Sequence, residues 1–176
     1  FQDDFSDPDS GWDDQHWDQG SSNYVNGEYW ITVLPERYFV WGNPYRDFDD
    51  VIVSVDARVE TPTGVGDFGV LCRYQDSDNF YALEVSEDGY FSIWKEVDGE
   101  IINLYEWEYY NIIPQGQVSR ISAVCAGDEL TLALNNRVLA SIQDSSFRSG
   151  DVGLIAGTFE TGGIIVAFDN FEVQQP

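Results

Sequence analysis

Residues 95–100 read Lys-Glu-Val-Asp-Gly-Glu, KEVDGE, and the fold turns on how those six residues are read. Glu96, Asp98 and Glu100 stand at alternate positions. In one straight strand, alternate side chains share a face, so three carboxylates would point the same way. Asp98-Gly99, however, is a residue pair that suits a two-residue hairpin turn, where both central residues need positive φ.

Working outward decides between the two. With a turn at Asp98-Gly99, Val97 faces Glu100 across the hairpin. Phe91, Ile93, Lys95 and Val97 then share a face with Glu100, Ile102, Leu104 and Glu106. The opposite face carries Tyr90, Ser92, Trp94 and Glu96 beside Ile101, Asn103, Tyr105 and Trp107. One face has an apolar centre and the other is aromatic and polar. Glu96 and Glu100 fall on opposite faces and Asp98 lies in the bend, so no carboxylate triad forms. The E-x-D-x-E spacing resembles the catalytic strand of laminarinase- and lichenase-type β-glucanases, but the hairpin reading takes precedence over that resemblance.

The preceding strands extend the same two faces. A three-residue loop at Glu87-Asp88-Gly89 puts Tyr81, Leu83 and Val85 inward, whereas a two-residue loop would bury Glu84 and Ser86. Glu84 then lies beside Ser92, and Ala82 beside Trp94. A loop over 75–78 pairs Arg73 with Phe80 and turns Cys72, Val70 and Phe68 inward. The expected outer face therefore offers Arg73, Glu84, Trp94, Asn103, Tyr105 and Trp107 as ligand-binding residues. Flat rings suit the C–H face of a pyranose, and the polar groups between them suit its hydroxyls.

The rest of the chain reads as strand and turn. Val51, Val53, Val55, Ala57 and Val59 alternate with polar residues, a period of two. Similar runs cover 28–34, 37–41, 67–74, 79–86, 118–126, 129–135, 137–142, 151–159 and 164–173, with Gly, Asp, Asn or Ser in nearly every gap. No segment shows helical periodicity with caps. The acidic stretch 7–27 reads as a long surface loop. The 176 residues suit one domain, 1–176. The fold expected is an all-β sandwich of two antiparallel sheets.

Composition narrows the function. The net charge is −24, from 32 acidic and 8 basic residues, a field that repels nucleic acid and anionic membrane. No apolar run approaches the ~20 residues of a membrane helix. The chain has no methionine and begins at Phe1, as expected of a processed or excised domain. His16 is the sole histidine, so no Ser-His-Asp or Cys-His arrangement is supported. Cys72 and Cys125 are either buried thiols or a disulfide, and a bridge closing that loop would add roughly 3–4 kcal/mol. The remaining candidate catalytic pair is Glu84 with Glu96, since a glycosidase needs two carboxyls roughly 5–10 Å apart.

Three stretches carry a family resemblance: DDFSDPDSGW (3–12), GVLCRYQDSDNFYALEVSEDGYFSIWK (69–95) and GDVGLIAGTFETGGIIVAFDNFEV (150–173). They resemble the concanavalin A-like, laminin-G-like bacterial extracellular domains that include 3-keto-disaccharide hydrolases. The resemblance implies a jelly roll whose concave sheet binds glycans, exported as part of a lipoprotein or larger cell-surface protein. It also implies a structural calcium ion (Ca2+) where the first strand meets the last, with Asp4 and Asp169 as matching residues. The expectation is a noncatalytic carbohydrate-binding or cell-surface recognition domain. The alternatives are a glycoside-processing enzyme and a self-associating subunit of a surface layer, sheath or filament.

Overall fold

The computed structural model describes residues 1–61 and 66–176. Its strands are β1 (Gln2–Asp3), β2 (Gln15–Trp17), β3 (Gly20–Val25), β4 (Glu28–Val33), β5 (Phe39–Gly42), β6 (Asp47–Phe48), β7 (Val51–Val59) and β8 (Gly66–Asp76). They continue with β9 (Asn79–Ser86), β10 (Tyr90–Val97), β11 (Glu100–Tyr109), β12 (Ser119–Ala126), β13 (Glu129–Leu134), β14 (Arg137–Gln143), β15 (Gly150–Thr158) and β16 (Ile164–Gln174). One antiparallel sheet runs β14-β13-β12-β7-β16-β4-β3-β2, with β1 also on β16. The other runs β11-β10-β9-β8-β15-β5, with β6 also on β15. The all-β, two-sheet jelly-roll sandwich is the one the sequence calls for.

Alternation sets the inner faces. Along β7 every odd residue from Val51 to Val59 is buried and every even one half-exposed, and β12 repeats the pattern. Opposite them, Phe68, Val70, Leu83, Ile93 and Leu154 supply the second sheet's half of the core. Cys72 of β8 and Cys125 of β12 are joined by a disulfide, so the two sheets are bonded covalently through the interior.

The turns at 87–89 and 98–99 form as the sequence predicts. Val97 pairs with Glu100, and Asp98 and Gly99 take φ of 51° and 78°. Gly89 has φ of 99°, and Phe91 pairs with Val85. The stretch 7–27 is not one surface loop: it contains β2 and β3. Strand β3 reads Gly-Ser-Ser-Asn-Tyr-Val and shows little apolar alternation. It is held by its ladder to β4, where Ser22 faces Ile31. Trp12, within the same stretch, is buried against Phe5 and Tyr29, with ring centroids 5.3 and 5.2 Å away.

Strand β8 departs from the expected register. Cys72 pairs with Tyr81 and Asp76 with Asn79, so residues 73–75 oppose Phe80 alone. Arg73 sits in this bulge with φ of 52° and is 1% exposed. Its guanidinium does not reach the outer face. Nη1 donates to Gly127 O and Phe147 O, each at 2.9 Å, and Nη2 to Asp50 Oδ1 at 3.1 Å. Lys95, the only lysine, is likewise committed, donating to Asp144 and Ser146 at 2.7 Å each.

Candidate functional site

The outer face of the second sheet has a floor of small residues. Gly157, Gly69 and Ala82 lie on β15, β8 and β9. Space there is tight: a Cβ on Gly69 would sit 2.1 Å from Leu83 O, and one on Gly157 2.3 Å from Asp67 Oδ1. Large rings from the flanking strands lie over this floor. Phe39 of β5 and Trp94 of β10 have three strands between them. Flat strands at normal spacing would hold them about 19 Å apart, yet their ring centroids are 5.7 Å apart. The face is therefore concave, and rings from β5 and β10 meet above its middle.

The rings form a closed circuit. Trp94 touches Phe80 at 5.5 Å, Phe80 stacks on Tyr74 at 5.8 Å, Tyr74 meets Trp41 at 6.2 Å, and Trp41 meets Phe39 at 5.8 Å. Phe80 and Trp94 are buried with Leu71, Ala82 and Ile155, while Phe39, Trp41 and Tyr74 are partly open to solvent. The centre of the face is thus a second apolar core, and its accessible aromatic surface lies on the β5 side.

Carboxylates lie within this face. Glu84 is 1% exposed. Its Oε2 accepts a hydrogen bond from Trp94 Nε1, and its Oε1 has no partner. Burial, reinforced by the charge of Asp67, raises the Glu84 pKa well above its ordinary value, against the opposing Trp94 hydrogen bond. Asp67, diagonal to Glu84 across β8–β9, is raised by burial to about 7. Glu96 is raised by burial and by Asp78.

At the open margin, beside Trp41 and Tyr74, lies a hollow of about 370 Å³. Asp13, Asn43, Tyr45 and Asp151 contribute its polar wall. Tyr45 is 72% exposed and has φ of 57°. Its hydroxyl donates to Asp13 Oδ1, while Asp13 Oδ2 accepts from Asn43 N at 2.9 Å. Asp151 Oδ1 accepts from Arg46 N and Val152 N at 2.9 and 2.8 Å. Burial raises its pKa to about 6 against those amides.

The sequence pattern puts six residues on a single ligand-binding face. Trp94 and Asn103 are there and directly paired, and Glu84 is opposite Ser92 as expected. Trp107 also faces outward, its ring 5.4 Å from Phe159. Tyr105 does not: Ile93 pairs with Tyr105 rather than Leu104, a bulge that turns Tyr105 inward onto Phe91, where the rings stack at 5.5 Å. Glu106 moves outward instead and accepts from Asn103 Nδ2 at 3.1 Å. Arg73 is withdrawn into its bulge, as described above.

Glu84 and Glu96 stand apart on their strands. Glu84 pairs with Ser92, and Glu96 lies four residues further along β10. That is about 13 Å between backbone positions, with the Trp94 position between them, and Glu84 is 1% exposed. Asp4 and Asp169 do not fit a calcium ion on their side chains. Asp4 accepts from Ser6 N and Oγ at 3.1 and 2.6 Å, and Asp169 from Asn170 N at 2.6 Å. Among the described residues no three acidic, His or Cys side chains gather to hold a metal, and calcium takes six to eight oxygens.

Phe39, Trp41, Tyr74 and Asp67 escape the sequence reading of the site. The strand at 37–41 is legible, but its partner is β15, where Trp41 pairs with Ile155. Hairpin rules say nothing of so distant a pairing. Tyr74 is displaced outward by the β8 bulge.

No family model and no curated protein matches the sequence. Solved structures do. A carbohydrate-binding module, CBM66 from Bacillus subtilis, aligns over 94% of this chain and 96% of its own, with 17% identity and a TM-score of 0.67. A Bacillus licheniformis β-glucanase aligns over 100% and 98%, with 6% identity and a TM-score of 0.73. Sheep galectin-11 in complex with glycerol aligns over 80% and 99%, with 14% identity and a TM-score of 0.56. At these identities the likeness is one of fold, the concanavalin A-like jelly roll.

Proposed function

We propose that this jelly roll is a noncatalytic carbohydrate-binding domain of an exported, extracellular or cell-surface protein, and that it takes its glycan at the β5 margin of the concave sheet. The observation carrying the reading is the pair Trp41 and Tyr74, partly open rings 6.2 Å apart beside a hollow walled by Asp13, Asn43, Tyr45 and Asp151. A ring face takes the C–H surface of a pyranose, and adjacent polar groups take its hydroxyls. The solved structures of similar fold include a carbohydrate-binding module, which favours the same class. The noncatalytic reading is supported by the separation of Glu84 from Glu96 and by the burial of Glu84 beneath rings. The extracellular setting is supported by the disulfide, a bond that persists in oxidising compartments.

Calorimetric titration with oligosaccharides of plant, microbial and host type tests this. Trp41→Ala and Tyr74→Ala should each weaken binding by about 1–2 kcal/mol, five- to thirty-fold, with the fold intact. Folded protein that binds nothing across the panel, or binding indifferent to both substitutions, would overturn the proposal.

A further inference from the structure

We infer that the glycan taken at the β5 margin is an amino sugar polymer carrying free ammonium groups, rather than a neutral or anionic chain. The inference rests on the carbohydrate reading above and specifies its ligand.

The charge of the hollow is one-sided. Asp13 and Asp151 line it, and among the described residues no Lys, Arg or His does. The nearby cations are engaged elsewhere. The Arg46 guanidinium lies over the Phe1 ring at 4.3 Å, although its backbone amide serves Asp151. Arg73 is spent on Gly127, Phe147 and Asp50. A uronate or sulfate entering here would meet two carboxylates with nothing to neutralise it. An ammonium would instead meet a wall that carries Asp13 and Asp151 and the rings of Trp41, Tyr45 and Tyr74. Cations gain from carboxylates and from the faces of aromatic rings alike.

The carboxylates are also held in place. Asp13 is fixed by Asn43 N, Tyr45 Oη and Gln15 Nε2, and Asp151 by two backbone amides. Neither has to be ordered when a ligand arrives, which favours binding. The overall charge of −24 draws polycations toward the molecule, but without selecting a site. Selection comes from setting the amine beside a ring that stacks on the same sugar.

The test is calorimetry at pH 7, above the value of about 6 to which burial raises Asp151, with four probes: a fully deacetylated glucosamine hexamer, its N-acetylated counterpart, a neutral β-glucan hexamer and a uronate hexamer. The deacetylated hexamer should bind about ten-fold tighter than its N-acetylated form. That advantage should shrink as pH rises past the amine's pKa. Asp151→Asn should narrow the gap by weakening the deacetylated hexamer more than the N-acetylated one, and Trp41→Ala should weaken every bound probe. Equal or tighter binding of the N-acetylated, neutral or uronate hexamer would overturn the inference and leave the carbohydrate reading standing. So would amine binding that Trp41→Ala leaves intact, since that would be diffuse attraction to an acidic surface. Failure of all four hexamers on folded protein would sink the carbohydrate reading with it.

Discussion

Trp94 donates its indole hydrogen to Glu84 from the diagonal position on the neighbouring strand, leaving the other carboxylate oxygen of Glu84 buried and unpartnered. Both Glu84 and Asp67 have folded pKa values raised by burial, Asp67 to about 7. A raised acid keeps its full contribution to stability below its unfolded pKa and loses it as pH climbs through the folded value. Stability should therefore fall between about pH 4 and pH 7, the window set by Asp67. Asp144 works the other way, since hydrogen bonds from Lys95, Tyr81 and Ser146 overcome its burial and hold it low. Glu84→Gln cannot ionise and still accepts from Trp94. Urea melts at pH 5 and pH 8 should show the variant gaining on the parent protein as pH rises. A constant difference between them would mean that Glu84 is ionised in the folded protein as it is in the unfolded chain, and that its pKa is not raised.

Arg73 is a structural residue rather than a ligand-binding one. Arg73→Leu leaves Gly127 O and Phe147 O without their donor, and should cost about 2–4 kcal/mol. Denaturant titration gives that number. Glycan affinity, measured on the folded fraction, should be unchanged.

The Cys72–Cys125 bridge spans a sequence separation of 53. Reduction, or a double Cys→Ala change, should lower stability by about 4 kcal/mol through the freedom returned to the unfolded chain. A reduced sample that melts at the same urea concentration would show that packing alone joins the sheets.

Tyr105 and Trp41 should separate cleanly. Tyr105→Ala removes a ring stacked on Phe91 and should cost about 1–3 kcal/mol of stability without touching glycan binding. Trp41→Ala should do more to binding than to folding. The reverse outcome would return the binding face to β11.

What the sequence makes legible follows from local physics. Alternation along β7, the Asp98-Gly99 bend and the three-residue loop at Gly89 each act within a few residues, and each appears where expected. Bulges break this kind of reading. Two irregularities in β10–β11 and one in β8–β9 shift the ladder without any Gly or Pro to announce them. Tyr105 turns in and Arg73 withdraws as a result. The β5 margin was hidden for a different reason: Trp41 reaches the site through a pairing with Ile155 that only the finished topology supplies.

The fate of Lys95 has a practical side. Its side chain, which carries the single side-chain amine of the 176 residues, is 11% exposed, and Asp144 holds the ammonium. Reagents that acylate side-chain amines should therefore find little to modify on the native fold. Dye labelling or sensor-chip coupling at Lys95 should proceed only as the chain unfolds, so the yield of acylation there becomes a readout of unfolding.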